Sequence, residues 1–165
     1  MTEIGSIIAP ASPEARERAK SDWVQIELGS GGFSDRLAAI EARLASPGVA
    51  ELRFATGAPA RNNLGTLHGA FLIGMVEQTL FLPMYLSGAA TAWSCVTVDC
   101  SVQYVAPGNP DEPVHGCVEL LKTTKRLAFV RGTFRQSQGV VTAFSGALRH
   151  GVKAQAIQAA ATGEP

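Results

Sequence analysis

The sequence predicts an α+β domain in which an antiparallel six-stranded sheet wraps around one long central helix, with an extra helix before it. Three observations predict this. The stretch from Leu67 to about Leu86 is apolar on every side of a helical wheel, and a helix of that kind has to be enclosed. An alternating hairpin pattern precedes it, and four long alternating or β-branched runs follow it. An antiparallel sheet with one apolar face can cover such a helix within a single core.

In chain order, residues 1–11 read as a loose tail. Ser12-Pro13-Glu14 supplies an N-cap, a Pro at the first helical position and an early acid. A helix to about Leu28 is expected from there, ended by Gly29-Ser30-Gly31-Gly32, so that residues 12–32 make an N-terminal helix and loop. Ile40, Ala42 and Leu44 alternate with Glu41 and Arg43, Pro47-Gly48 turns the chain, and residues 49–54 alternate again, which predicts a hairpin. Pro83 should kink or fray the last turn of the central helix. Strands are expected at about 93–105, 113–124, 127–137 and 140–149, separated by Pro107-Gly108-Asn109-Pro110, Lys125-Arg126 and Gln138-Gly139. The compact domain therefore spans 33–150, and residues 151–165 form a C-terminal tail. Six strands around one helix leave sheet edges and part of the helix open, which a homodimer would close.

Composition narrows the function classes. With 165 residues, 46% apolar and 17% charged, the chain can bury a core. Fourteen basic residues balance fourteen acidic ones, and no basic stripe offers itself to nucleic acid or to an anionic membrane. The start lacks the pattern of a secretory signal, and the apolar run at 70–86 is interrupted by Glu77 and Pro83, so the expected compartment is the cytoplasm. The three cysteines, at 95, 100 and 117, read as buried, reduced thiols. On a regular strand Cys95 and Cys100, five apart, should face opposite ways and cannot share a metal. The histidines at 68, 115 and 150 make no ligand set with them, so neither metal nor cofactor is expected.

Two features carry chemistry. From Asn62 to Val98 the only formally charged side chain is Glu77, in mid-helix. A buried carboxylate must be hydrogen-bonded, protonated or facing a polar pocket, and burial would raise its pKa toward a useful base; a Glu reaching solvent at a helix edge is the plainer alternative. Gly74, one turn earlier on the same face, should leave open space beside it. The second feature is the helix start, Asn62-Asn63-Leu64-Gly65-Thr66-Leu67-His68-Gly69-Ala70, where free backbone N–H groups can meet an anion or a polarised carbonyl oxygen. Capping alone also explains that composition. Glu77 follows His68 by nine residues, about 13 Å along the helix and half a turn around it. If both act on one substrate, the helix start of one subunit must face the Glu of another across a two-fold axis.

At this point the sequence resembles the hot-dog-fold acyl-CoA thioesterases of the phenylacetate-pathway and hydroxybenzoyl-CoA type, whose motif runs Asn, five residues, then H-G-G-x6-D/E. Here Asn62 leads to His68-Gly69-Ala70, and six residues later comes Glu77. The likeness extends through Val96-Thr97-Val98-Asp99, Tyr104-Val105-Ala106-Pro107-Gly108, Lys125-Arg126-Leu127-Ala128-Phe129-Val130 and Gly139-Val140-Val141-Thr142-Ala143, about residues 33–150. The resemblance implies hydrolysis of an acyl-CoA thioester, with CoA as part of the substrate and no cofactor. It makes Glu77 the nucleophile or general base, and the Gly69 N–H and Asn62 side chain the groups that polarise the carbonyl from the partner subunit. Thr97 would hold the attacking water, and His68 would shape the helix start. Ala70, in place of the second Gly, narrows the carbonyl end, and Phe81 stands where the benzoyl branch carries a Thr. Lys125 and Arg126, with Lys122, Arg131 and Arg149, are candidates for the CoA phosphates. Phe71, Met75, Phe81, Met84, Tyr85 and Trp93 could line the acyl pocket, and relatives suggest a homotetramer built from two dimers. Two rivals remain: a non-catalytic acyl-CoA-binding protein, and a hydroxyacyl-thioester dehydratase, whose His and acid stand about fourteen residues apart.

Overall fold

Residues 22–26, 32–89 and 94–152 are described by the structure, a computed structural model. Seven strands form one antiparallel sheet: β1 (Val24–Ile26), β2 (Ile40–Ser46), β3 (Val49–Phe54), β4 (Cys95–Tyr104), β5 (Val114–Thr123), β6 (Leu127–Gln136) and β7 (Gly139–His150), in the order β1-β2-β3-β5-β6-β7-β4. The helical segments α1 (Gly69–Glu77) and α2 (Leu82–Leu86) pack into its concave face, and two short 3₁₀ helices cover Phe33–Arg36 and Ala58–Ala60.

The seventh strand is β1, and it lies where the helix over 12–28 was expected to end. Ile26 turns inward opposite Ile40 and is buried, while Trp23 on the outer side lies over the Arg43 and Arg53 guanidiniums at 5.2 and 4.6 Å. Pairing with β2 satisfies the backbone and buries Ile26, which outweighs a weak helical preference at Trp23-Val24-Gln25-Ile26. The remainder of that expected helix, like the expected tail over 1–11 and residues 153–165 of the other tail, falls outside the described residues.

The central helix is interrupted at 78–81 rather than continuous to Leu86. Pro83 has no N–H to offer the Thr79 carbonyl. That carbonyl accepts from Leu82 N at 3.1 Å instead, and Thr79 bonds back to the Val76 carbonyl through both its N–H and its hydroxyl, each at 2.9 Å. The chain tightens for one turn and restarts as α2 with Pro83 in its first turn, where a missing N–H costs nothing. The break therefore comes before the proline.

Leu72, Met75 and Val76 of α1, with Leu80, Leu82 and Met84, bury against inward-facing Ile40, Leu52, Phe54, Val118, Val130, Phe134 and Leu148. Phe134 meets Phe54 and Phe144 edge-on at centroid distances of 5.3 and 5.0 Å, the favourable arrangement for aromatic rings. On the outer face, directly opposed residues pair as Arg43–Glu51, Arg53–Glu41 and Arg131–Glu119.

Two surfaces stay open among the described residues. Along α1, Ala70, Ile73 and Glu77 form one exposed stripe, so the helix is not enclosed on all sides by its own sheet. Strand β4 is a ten-residue edge, with Val96 and Val98 exposed.

Candidate active site

The helix start is held by a loop organised around Asn62. Its Oδ1 accepts the N–H groups of Leu64 and Thr66 at 2.9 and 3.1 Å, and its Nδ2 donates to Thr66 Oγ1 at 2.8 Å. Gly65 occupies the left-handed region at φ +83°, which lets the loop close with Asn62 N–H bonded to the Thr66 carbonyl at 2.8 Å. The second Nδ2 hydrogen makes only a long 3.5 Å bond to the Leu67 carbonyl, so a direct role on a substrate carbonyl would exchange that bond and keep the one to Thr66. His68 is the N-cap: its Nδ1 accepts the Ala70 N–H at 3.0 Å, which puts a neutral ring's proton on Nε2. Gly69 follows as the first helical residue, and its N–H belongs to the turn that has no intrahelical acceptor.

Tyr104 also reaches this end. Its hydroxyl donates to the Gly69 carbonyl at 3.0 Å, and its ring lies so close that a Cβ on Gly69 would sit 3.3 Å from Tyr104 Cζ. Glycine at 69 thus admits the ring on one side of the backbone. Sequence reasoning quoted Tyr104 as part of the family likeness without assigning it a role, because a tyrosine at a strand end carries no positional signal of its own.

At the other end of α1, Thr97 Oγ1 donates to Glu77 Oε2 at 3.0 Å. Thr97, expected to hold the attacking water, thus lies in direct contact with the carboxylate. Thr97 stands next to a β-bulge: it pairs with Leu148, Asp99 pairs with Ala147, and Val98 is the extra residue. Cys117 is exposed on β5 rather than buried, and the bulge overturns the expectation for the other two cysteines. Cys95 and Cys100 both pack toward the core, because one inserted residue restores their parity. Burial raises the Cys100 thiol pKa, and the nearby charges of Glu77 and then Asp99 raise it further, so the thiol stays protonated beside the carboxylate. Among the described residues no three His, Cys, Asp or Glu side chains gather as metal ligands.

The open space expected beside Gly74 is filled. A Cβ there would meet Leu37 Cδ2 at 3.1 Å and Phe33 Cε1 at 3.7 Å, so two side chains of the preceding segment use the notch. Phe81, half-buried, stacks edge-on with Tyr85 at 6.0 Å. Lys125 and Arg126 occupy the exposed β5–β6 turn; since Thr97, Leu148 and Ala128 are successive neighbours across β4, β7 and β6, this turn lies at the Glu77 end of the sheet. Ala70 is exposed on the open stripe at the opposite end of α1. Trp93 falls outside the described residues.

Within one chain, then, the structure joins Glu77 to Thr97 and joins Gly69 to His68, Asn62 and Tyr104. The two groups stand eight residues apart on a continuous helix, about 12 Å along its axis.

An antiparallel sheet wrapped around a central helix, with this acid facing an edge strand, is the hot-dog fold. The model of the Thioesterase superfamily matches residues 64–143. Among solved structures it is similar to zebrafish thioesterase superfamily member 2, with a TM-score of 0.64 and 23% identity over 74% of this chain and 88% of that one. A mutant of the phenylacetic acid degradation protein PaaI from Thermus thermophilus gives 0.60 and 21% over 72% and 97%. A hypothetical thioesterase from Streptococcus pneumoniae, solved with coenzyme A, gives 0.58 and 16% over 67% and 87%. No curated protein matches.

Proposed function

We propose that the protein is an acyl-CoA thioesterase, releasing free acid and CoA at sites shared between two subunits. The observation that carries the reading is the Glu77–Thr97 pair at 3.0 Å, on the exposed stripe of α1 and about 12 Å from the free N–H of Gly69 on the same helix. A thioester carbonyl held by the Gly69 N–H of one subunit meets Glu77 only if that carboxylate comes from the other. Two α1 stripes packed antiparallel across a two-fold axis satisfy this, and they cover the exposed Ala70 and Ile73.

In the general-base route, Glu77 takes a proton from water as the water oxygen adds to the carbonyl carbon. The Thr97 hydroxyl fixes the carboxylate and the bound water. The oxyanion forms against the Gly69 N–H, and donors of this kind are typically worth about 10²–10³ in rate. Collapse breaks the C–S bond, and the CoA thiolate leaves with the proton that Glu77 holds. In the nucleophilic route Glu77 attacks the same carbon, the C–S bond breaks and CoA leaves as the thiolate to give a mixed anhydride, and water then cleaves that anhydride to the free acid and restores the Glu77 carboxylate. Lys125 and Arg126, whose side chains enter no hydrogen bond or ion pair among the described residues, are the proposed contacts for CoA phosphates. Joining two dimers would give the tetramer.

The test is thiol release by the purified chain over aryl, short-chain, medium-chain and long-chain acyl-CoAs. Turnover of at least one class supports the reading. Binding of acyl-CoA without any thiol release would instead favour the non-catalytic role.

A further inference from the structure

Resting on that reading, we propose that the cavity behind Leu37 is the acyl subsite and that the Leu37 side chain, seated on Gly74, is the size filter between it and Glu77. Phe71, Gly74 and Glu77 follow one another at steps of three along α1, so they are neighbours on one helical row. A cavity of about 310 Å³ opens at the Phe71 end of this row, walled by Leu37, Ala38, Ala55, Pro59 and Phe71. The carboxylate stands at the other end. Between them lies Gly74, and the missing Cβ there is replaced by Leu37 Cδ2 at 3.1 Å with Phe33 behind it.

The lid over the notch is partly open to solvent. Phe33 is 65% exposed and Leu37 half-buried, and a long hydrogen bond from the Ser34 hydroxyl to Gln78 Oε1 at 3.3 Å ties the segment to the residue that ends α1. The proposed filter opens when Leu37 rotates about its own side-chain torsions and leaves the Gly74 notch.

The walls say what the cavity takes. Its Thr56 hydroxyl is already engaged with the carbonyls of Pro110 and Glu112, at 2.6 and 3.0 Å, so that wall offers an acyl group no unused hydroxyl, and the charged Asp35 and Arg36 are exposed. The volume lies at the low end of the roughly 300–1,000 Å³ usual for ligand pockets. An uncharged acyl group the size of a short chain or a single ring fits these terms, and a long chain does not.

Leu37→Ala and Leu37→Phe, assayed with the full chain over acetyl- to dodecanoyl-CoA and benzoyl-CoA, test the filter. A single methylene in an apolar pocket is worth about tenfold or more in discrimination. Leu37→Ala should therefore raise the kcat/KM ratio of longer to shorter acyl groups by about tenfold or more, and Leu37→Phe should lower it. The exposed Phe33→Ala variant should move the ratio the same way as Leu37→Ala, by less, and it keeps the question answerable if Leu37→Ala does not fold. Unchanged chain-length profiles in folded, active variants overturn the filter and leave the thioesterase reading standing. No turnover by the wild type on any acyl-CoA overturns both.

Discussion

Replacing Glu77 with Gln separates chemistry from folding unusually well. Glu77 is exposed on the open stripe of α1, and its hydrogen bond is accepted from the Thr97 hydroxyl at 3.0 Å. Glutamine keeps an oxygen at that position, so the bond survives and only the charge and basicity are lost. The side chain keeps its size and its bond to Thr97 in the dimer, so melting temperature and oligomer mass should stay as they were. General-base catalysis by a positioned carboxylate contributes about 10²–10⁴ in rate. With each tenfold equal to about 1.36 kcal/mol of barrier, the loss should be about 3–5 kcal/mol in activation free energy, with KM little changed. The assay is steady-state thiol release with the best acyl-CoA, using protein whose circular dichroism and sedimentation match the wild type. Turnover within tenfold of wild type would refute the assignment of Glu77, whichever route it follows.

Three further outcomes follow from the same geometry. Glu77→Ala and Asn62→Ala subunits, each inactive alone, should regain activity after joint unfolding and reassembly, because a hybrid dimer contains one intact site; hybrids that form and remain inactive would contradict the shared site. Tyr104→Phe removes one hydroxyl from the Gly69 carbonyl, a bond worth about 0.5–1.5 kcal/mol, and should lower kcat by about two- to tenfold while leaving KM in place. Sedimentation at micromolar concentration should show at least a dimer, since the described residues leave both the α1 stripe and the β4 edge uncovered; a stable, active monomer would remove the basis of the mechanism.

Much of the fold was legible because periodicity is set by the chain itself. The hairpin, the apolar helix and the last four strands stand within a residue or two of their expected limits, since each pattern repeats over six or more residues. Three residues are too few for such a signal, and β1 was missed. Glu77 stood out as a lone charge, and Thr97 through family likeness. The filling of Gly74 was hidden because Leu37 is thirty-seven residues away in sequence, and glycine reports that something approaches without saying what.

The bulge at Val98 was equally invisible, and it decides the site. Thr97 and Tyr104 are seven apart, so on a regular strand they would face opposite sides of the sheet. With Val98 unpaired, they sit opposite Leu148 and Thr142, six apart on β7, and therefore on the same side. Both then point at α1, Thr97 to the Glu77 carboxylate and Tyr104 to the Gly69 carbonyl. One edge strand thus sets the two ends of the helix at once, and the spacing between carboxylate and backbone donor is held by the sheet as well as by the helix. A β-bulge raises no apolar signal and breaks an alternation by a single residue, so its sequence trace, Val96-Thr97-Val98-Asp99, is the same as that of an unbroken strand.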